Sequence, residues 1–270
     1  MLHWVDGQPA ASLPLVDRGL AYGDGLFETM AVQNGRPVLL ERHLTRVTAG
    51  CARLRIDLDA SRLRSEVSAF CAELGQGVAK LIVTRGDGQR GYAPSAGAPR
   101  HVLQAGAMPA YPPQHAEHGI RLFPCETRLA EQPLLAGLKH LNRLEQVLAR
   151  AEWQAAEYAE GLMRDMSGRV VEGVFSNLFL VRDGVLSTPA LNRCGVAGVM
   201  RAELLEQARA LGITCQVRDI EMDELLGADE VFLCNSLYGV WPVRQLQARH
   251  WPVGPLTRKL QALARHLLDC

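Results

Sequence analysis

The chain contains very little lysine. Lys80, Lys139 and Lys259 are the only lysines among 270 residues, so a reaction that needs a lysine amine has three candidate positions. The 29 basic residues are balanced by 29 acidic ones, which leaves no excess positive charge for binding nucleic acid or an anionic membrane surface. No apolar segment approaches the roughly 20 residues of a membrane-spanning helix, and the first residues lack the pattern of a signal peptide.

The cysteines also lack a recognisable arrangement. Seven are scattered along the chain without a CxxC pair, and most lie in apolar surroundings such as Val231-Phe232-Leu233-Cys234. Buried, reduced thiols have this distribution, whereas a disulfide framework or a zinc site requires regular spacing. Together with the missing charge excess and apolar runs, this predicts a soluble cytoplasmic protein that binds neither nucleic acid nor membranes.

Hairpin signals and amphipathic segments predict a mixed α+β and α/β fold with two lobes. Asp6-Gly7 and Asn34-Gly35 are typical of tight β-hairpin turns, and two helical patterns follow at Glu41–Arg55 and Ala60–Leu74. A polar, proline-rich stretch at 111–118 reads as a linker. We therefore expect residues 1–110 to form a smaller N-terminal α/β lobe and residues 119–270 a larger C-terminal lobe.

Two motifs suggest chemistry that their context does not favour. Gly86–Gly91 matches GxGxxG, but two prolines and a glycine follow where a dinucleotide site needs a helix, so a flexible loop is favoured. His115 and His118 have the spacing of half a metal site but lack a second pair of ligands. We expect no dinucleotide and no metal.

The segment around Lys139 is the strongest candidate for chemistry. Lys139 is surrounded by apolar residues and predicted to stand at the entry of a long amphipathic helix, from about His140 to Tyr158. On its core face we expect four side chains: Leu141, Leu144, Leu148 and Ala151. Lost hydration favours the neutral amine, which can attack an aldehyde. A helix lysine that reaches out to solvent is an equally good interpretation of the spacing alone.

The block from Leu135 to Leu148 resembles the active-site segment of the fold-type IV pyridoxal-phosphate enzymes, a superfamily of aminotransferases and a lyase. The shared features are a glycine two residues before Lys139 and an asparagine three residues after it. The resemblance extends from Asp17-Arg18-Gly19 to Trp241-Pro242-Val243. It implies a Schiff base between Lys139 and pyridoxal 5'-phosphate, a pseudo-barrel in the C-terminal lobe, and a homodimer.

The resemblance also assigns residues to the cofactor phosphate. Arg46, in Glu41-Arg42-His43-Leu44-Thr45-Arg46, occupies the position of the family's phosphate-binding arginine, whose guanidinium suits phosphate geometry. The backbone amides of Val196 and Ala197 lie in a glycine-rich turn before a helix, and the hydroxyl of Ser236 aligns with a family hydroxyl. Without the resemblance, Arg46 is one solvated helix arginine among many.

Further positions are implied for the cofactor ring and the substrate. Glu172 matches the glutamate that pairs with the pyridine nitrogen, and Asn177 lies in the Ser176-Asn177-Leu178-Phe179 block that follows it. Arg90 falls where related aminotransferases carry a carboxylate-binding arginine. Tyr92 and Phe27 complete the expected substrate-binding residues.

The block His140–Val147 is similar to the lyase branch of the superfamily. That similarity implies conversion of 4-amino-4-deoxychorismate, the small-molecule substrate, to 4-aminobenzoate and pyruvate, a step that supplies a folate precursor. A D-amino-acid or branched-chain aminotransferase remains an alternative on the same scaffold. A non-catalytic protein that carries pyridoxal phosphate is the third, although a carrier has no use for Glu172.

Overall fold

The computed structural model describes residues 2–94 and 97–269. The chain divides into two compact units. The first contains the residues up to Pro109 together with Leu138–Asn142, and the second contains Ala110–Gly137 and Arg143–Asp269. The segment 111–118, which the sequence suggests as a linker, therefore lies within the second unit. Its prolines precede a short helix, and Tyr111 packs against the ring of Trp241 with a centroid distance of 4.8 Å.

Among the described residues, the first unit is an antiparallel sheet with three helices. In chain order its elements are β1 (His3–Val5), β2 (Gln8–Pro9), α1 (Arg18–Tyr22), β3 (Gly25–Gln33), β4 (Arg36–Pro37), α2 (Leu40–Leu54), α3 (Ala60–Leu74), β5 (Gly77–Thr84) and β6 (Arg100–Gly106). The strand order is β2-β1-β6-β5-β3-β4. The two predicted helices are confirmed as α2 and α3. They form because their apolar residues recur at three- and four-residue intervals.

Both predicted hairpin turns of this unit have left-handed backbone. Asp6 and Gly7 have φ of 51° and 80°, and Asn34 and Gly35 have φ of 50° and 73°. Two consecutive positive φ values define the turn whose twist matches antiparallel strands, and Asn, Asp and Gly tolerate it best. The second turn fixes the register of β3, the strand that carries Phe27 and Glu28.

The second unit is built around a closed ring of strands. Its elements are α4 (Gln114–His118), β7 (Ile120–Leu129), α5 (Leu144–Ala151), β8 (Tyr158–Asp165), β9 (Val170–Gly173), β10 (Asn177–Arg182), β11 (Val185–Pro189), α6 (Val199–Ala210), β12 (Cys215–Arg218), α7 (Met222–Leu226), β13 (Glu230–Asn235), β14 (Gly239–Leu246), β15 (Arg249–His250) and α8 (Pro255–Asp269). The strands follow the order β10-β13-β14-β7-β8-β9, and β9 pairs back with β10, which closes the ring.

A packed apolar core fills this unit. Leu162, Leu178, Leu233 and Trp241 are each at most 3% exposed and belong to one cluster. Alternation along the strands places these side chains on one face of the sheet. Across residues 2–94 and 97–269, no helix is both long and apolar enough to cross a membrane.

The long helix expected after Lys139 is wrong in both length and orientation. Helix α5 covers only Leu144–Ala151, and Leu144 and Leu148 are 75% and 60% exposed instead of lining a core. Ala151 is exposed as well. The helix cannot start earlier because the backbone amide of Leu141 donates to the carbonyl oxygen of Gly25, a strand-type bond that removes a helical one.

Candidate active site

Lys139 lies in an extended segment paired with β3, not at a helix entry. The amide of Phe27 donates to the carbonyl oxygen of Lys139 at 2.9 Å. The amine nitrogen Nζ of Lys139 consequently stands 4.3 Å from the centroid of the Phe27 ring. Lys139 is half-buried, whereas Lys80 and Lys259 are exposed. Of the two interpretations of this lysine, the solvent-reaching helix residue is excluded by its backbone.

Arg46 is held by a buried carboxylate that the sequence did not single out. Its Nε donates to Oε1 of Glu28 at 2.8 Å, and a second nitrogen of the guanidinium pairs with Oε2. Glu28 is 1% exposed. It faces the same side of β3 as Leu26 and Met30, so a charge at this position of an apolar strand was the available signal for a buried partner.

His43 completes a cluster with Glu28 and Arg46. The His43 Nδ1 lies 2.6 Å from Oε2 of Glu28, and its buried Nε2 has no hydrogen-bond partner within the described residues. Burial lowers the pKa of His43, Glu28 raises it, and the positive charges of Arg46 and Lys139 lower it further. Burial alone would raise the pKa of Glu28, yet Arg46 and His43 bring it down to about 2.

We expect Glu28→Gln to lower the free energy of unfolding at pH 7 by on the order of 3 kcal/mol, because a shift of one pKa unit corresponds to about 1.4 kcal/mol. The pKa of Glu28 in the folded state lies below its ordinary value of 4.5. Its contribution is therefore complete above that pH and is lost as the pH falls toward 2. Urea unfolding of both proteins should show the difference narrowing over this range.

Glu41→Gln provides the matched control for that experiment. Glu41 also pairs with an arginine, Arg64, but its side chain is 70% exposed. An exposed pair contributes little to stability. Equal losses in the two variants, or a Glu28→Gln effect that does not change with pH, would contradict the assignment of Glu28 as a buried anion.

Arg18 forms hydrogen bonds to the backbone of the loop that carries Arg90 and Tyr92. The guanidinium of Arg18 donates to the carbonyl oxygens of Gly91 at 3.0 Å, Tyr92 at 3.3 Å and Ala93 at 3.4 Å. Arg18 is 4% exposed, whereas Tyr92 is 87% exposed and Arg90 is also at the surface. The loop thus presents both side chains outward from an anchored backbone, and no helix follows Gly91 in the part of the loop described.

In the second unit, Glu172 and Asn177 form a buried pair. They face each other in adjacent strands β9 and β10 and are 4% and 5% exposed. The Asn177 side-chain nitrogen donates to the carbonyl oxygen of Val196 at 2.8 Å and lies 3.5 Å from Glu172. A Cβ atom at Gly198 would lie 1.9 Å from Oδ1 of Asn177, so only glycine fits beside this pair.

Two half-buried arginines, Arg143 and Arg201, attract the negative charge of Glu172. Burial lowers the pKa of Arg143, and the charge of Glu172 raises it. Burial likewise lowers the pKa of Arg201, while Cys234 and Glu172 act in the opposite direction. Glu172 therefore lies near two positive charges. A buried carboxylate can pair with a protonated ring nitrogen.

The amides of Val196 and Ala197 have acceptors inside the chain. The Val196 amide donates to Oε2 of Glu172 at 2.8 Å, and the Ala197 amide donates to the carbonyl oxygen of Gly137 at 3.0 Å. These bonds connect the glycine-rich turn to Glu172 and to the residue two positions before Lys139. Both hydrogen bonds help to shape the turn.

Helix α6 offers other amides for an anion. Its N-cap is Gly198, which has no side chain to cap the helix, and its first turn contains no acidic residue. The first intrahelical bond runs from the amide of Ala202 to the carbonyl of Gly198. The amides of Val199, Met200 and Arg201 consequently lack an acceptor within the helix.

Ser236 lies in the turn between β13 and β14 and is half-buried. Asn235 shapes that turn, because its Oδ1 accepts hydrogen bonds from the amides of Leu237 at 2.9 Å and Tyr238 at 3.0 Å. Such an Asx turn fixes the backbone on both sides of Ser236. The hydroxyl is thus carried on an ordered turn.

Each unit, taken by itself, carries groups of the kinds that pyridoxal phosphate requires. The first unit contains the half-buried amine of Lys139 above the Phe27 ring, and the guanidinium of Arg46, which is paired with Glu28. The second supplies a buried carboxylate, helix amides beside a glycine that leaves no room for a Cβ atom, and a hydroxyl. An aldehyde, a protonated pyridine nitrogen and a phosphate require these groups.

Comparison with known proteins agrees with this donor set. The model of the family "Amino-transferase class IV" matches residues 25–246. The aminodeoxychorismate lyase of Vibrio harveyi is 41% identical over 267 residues, covering 96% of this chain and 98% of that protein. A putative branched-chain-amino-acid aminotransferase of Methanocaldococcus jannaschii is 31% identical, covering 93% of this chain and 89% of that protein.

A solved structure shows the same fold over the whole chain. The crystal structure of 4-amino-4-deoxychorismate lyase from Pseudomonas aeruginosa has a TM-score of 0.98 and 66% sequence identity, and the match covers 100% of both chains. The expected fold-type IV architecture is thereby confirmed, including the closed strand ring of the second unit. The chain belongs to the class IV aminotransferase family of pyridoxal-phosphate enzymes.

Proposed function

We propose that the protein is a lyase that converts 4-amino-4-deoxychorismate to 4-aminobenzoate and pyruvate. The observation that carries the proposal is the full-length likeness to the Pseudomonas aeruginosa lyase at 66% identity. The aminotransferase named above is 31% identical and so less similar. Release of 4-aminobenzoate and pyruvate from the substrate by the purified protein is the test. Failure to release them would overturn the proposal.

We propose the following contacts for the cofactor. Lys139 binds the aldehyde carbon, Arg46 the phosphate and Glu172 the pyridine nitrogen, with Asn177 holding Glu172 in place. The hydroxyl of Ser236 donates a hydrogen bond to the phosphate. For the backbone contacts to the phosphate, we propose the amides of Val196 and Ala197 in the turn before α6, together with those of Val199 and Met200 at the start of that helix.

When bound, pyridoxal phosphate supplies an electron sink for the carbon that bears the substrate amine. The residues of the chain perform the proton transfers. The Nζ atom of Lys139 removes the proton from that ring carbon. The bond between the adjacent ring carbon and the ether oxygen then breaks, and Lys139 returns a proton to the methylene carbon of the departing group, which leaves as pyruvate. The ring that remains is aromatic, which makes the step effectively irreversible.

The substrate carboxylates require a cation outside this proton path. Arg90 stands exposed on a loop whose backbone Arg18 holds at three carbonyl oxygens. We propose that Arg90 binds a substrate carboxylate, that Tyr92 contacts the substrate beside it, and that the Phe27 ring lies against the substrate near Lys139. A guanidinium suits a carboxylate because it donates two parallel hydrogen bonds.

We expect Arg46→Ala to weaken cofactor binding by about ten-fold or more, because a hydrogen bond to a charged group contributes roughly 1.5–3 kcal/mol. Arg46→Lys keeps the charge but loses the forked geometry of the guanidinium. Its affinity for the cofactor should therefore lie between those of the parent protein and Arg46→Ala. Titration of the protein with pyridoxal phosphate, followed by its visible absorption, measures the dissociation constants. Identical constants in all three proteins would remove Arg46 from the phosphate site.

We propose a homodimer, because helix α5 leaves apolar side chains uncovered. Leu144, Val147 and Leu148 are 75%, 60% and 60% exposed on this one short helix. A second copy of the chain would bury them. Light scattering should give about twice the 29.6 kDa of one chain, and Leu148→Asp should shift the mass toward a monomer. Leu211→Asp, at a single exposed leucine after α6, is the control. A fully active monomer would contradict the proposal.

We further propose that the protein works in the cytoplasm. The cysteines at 51, 71, 125, 194, 215 and 234 are free thiols, and all but Cys215 are buried. Burial raises the pKa of the Cys51 and Cys71 thiols to about 12, which keeps them protonated and unreactive. These thiols suit a reducing compartment.

A further inference from the structure

Glu160 is a buried carboxylate that the proposed reaction does not use. It lies on β8 and is fully buried. Among the residues that the structure describes, no arginine or lysine pairs with it. An unpaired buried charge is costly unless hydrogen bonds offset the lost hydration. Burial accordingly raises the pKa of Glu160 to about 7, although hydrogen bonds from its neighbours act in the opposite direction.

Three of the four hydrogen bonds to Glu160 come from one turn. The amides of Val174 and Phe175 donate at 3.0 Å and 3.2 Å, and the hydroxyl of Ser176 donates at 2.7 Å. The fourth donor is the adjacent amide of Gly161 at 2.9 Å. Each carboxylate oxygen accepts two bonds, which is the capacity of an ionised carboxylate and exceeds that of an amide.

The turn that Glu160 holds connects β9 to β10. Glu172 and Asn177 stand directly opposite each other at its two ends. The turn is closed by the amide of Gly173, which donates to the carbonyl oxygen of Ser176 at 2.7 Å. A Cβ atom at Gly173 would lie 2.2 Å from the Ser176 hydroxyl, so the turn packs closely against this glycine. A movement of the turn would therefore change the spacing of Glu172 and Asn177.

We infer that Glu160 is a positioning residue that sets the placement of Glu172 and Asn177 by holding the turn between them. It acts through the turn, because its hydrogen bonds go to Gly161 and to Val174, Phe175 and Ser176. The importance of that placement for the reaction rests on the proposed function. The positions of Glu172 and Asn177 can be examined in the protein without cofactor or substrate. Hydrogen exchange of the Val196 amide is a probe of the position of Glu172, because that amide donates to Glu172.

Glu160→Gln tests the inference. Glutamine matches the shape of glutamate, but its NH₂ group would face donors on the turn instead of accepting from them. Amide-resolved hydrogen exchange of the purified protein should show the Val196 amide exchanging at least about ten-fold faster. The neighbouring Ala197 amide, which donates to the carbonyl oxygen of Gly137, should keep its protection. Ser176→Ala removes one bond from the other side and should give a smaller change of the same kind.

Glu230→Gln is the matched control. Glu230 is also a buried carboxylate, 6% exposed, and accepts bonds from the amides of Leu256 and Thr257 and from the Thr257 hydroxyl. It holds the start of α8 instead of the β9–β10 turn. This variant should lose stability without changing exchange at Val196, and its kcat should stay near that of the parent protein.

Kinetics separate positioning from general support. Glu160→Gln should lower kcat about ten-fold with KM changed less than two-fold, because the substrate contacts lie elsewhere. Unchanged exchange at Val196 in both Glu160→Gln and Ser176→Ala would overturn the inference. So would equal acceleration at Val196 in Glu230→Gln. If the parent protein proves to have no lyase activity, the exchange comparison still decides the role of Glu160, and only the proposed function fails.

Discussion

Replacing Lys139 with alanine is expected to lower kcat by about 10³-fold or more and to prevent covalent attachment of the cofactor. One amine performs both proton transfers of the proposed reaction, and a positioned acid or base contributes roughly 10²–10⁴-fold. The covalent bond to the aldehyde adds to this. Borohydride reduction of the parent protein should fix the cofactor onto Lys139, and peptide mapping should find it there.

The other lysines make this test specific. Lys259 is exposed on α8, so Lys259→Ala should retain both turnover and the reducible cofactor. Lys80 is the more demanding comparison, because its Nζ lies 5.6 Å from the centroid of the same Phe27 ring. Reduced cofactor on Lys80, or substantial turnover by Lys139→Ala, would show that the reactive amine was misassigned.

Glu172→Gln is expected to keep the cofactor and lower kcat on the order of 100-fold, the size of effect seen when one preorganised electrostatic contact is removed. The amide oxygen of glutamine can still accept the bond from the Val196 amide, so the turn at 195–198 should survive. The negative charge that holds a proton on the ring nitrogen is lost. Arg143 and Arg201 would then lie near a neutral side chain.

Three measurements distinguish this electrostatic role from a structural one. The dissociation constant of pyridoxal phosphate should change by less than the activity does. The thermal midpoint should stay close to that of the parent protein. The visible absorption band of the bound cofactor should shift, because the protonation state of its ring nitrogen changes. Turnover within two-fold of the parent protein would show that Glu172 only supports the fold.

Local patterns predicted much of the fold. Helices α2 and α3 were predicted within about one residue at each end because their apolar residues repeat along a helical face. The Asp-Gly and Asn-Gly turns were predicted because few residues accept a positive φ. Each of these signals depends on residues that are neighbours in sequence.

The features that the sequence did not predict depend on residues that are far apart in sequence. Lys139 was placed at a helix entry because the leucines after it have helical spacing, whereas hydrogen bonds to Gly25 and Phe27, more than 100 positions earlier, keep its backbone extended. The partnership of Glu28 with Arg46 joins a strand to a helix 18 positions later. Such contacts depend on how strands and helices pack together. The motif therefore predicts Arg46 as a candidate, but it does not predict that Glu28 is the partner of Arg46.

The lyase assignment is tested most directly by incubating the purified protein with 4-amino-4-deoxychorismate and pyridoxal phosphate in the absence of any oxo acid. We expect 4-aminobenzoate and pyruvate in equal molar amounts, produced over many turnovers, and only slow exchange between D- or branched-chain amino acids and 2-oxoglutarate. An aminotransferase stalls after one half-reaction until an oxo acid is added. Efficient amino-acid exchange with 4-amino-4-deoxychorismate left untouched would contradict the assignment.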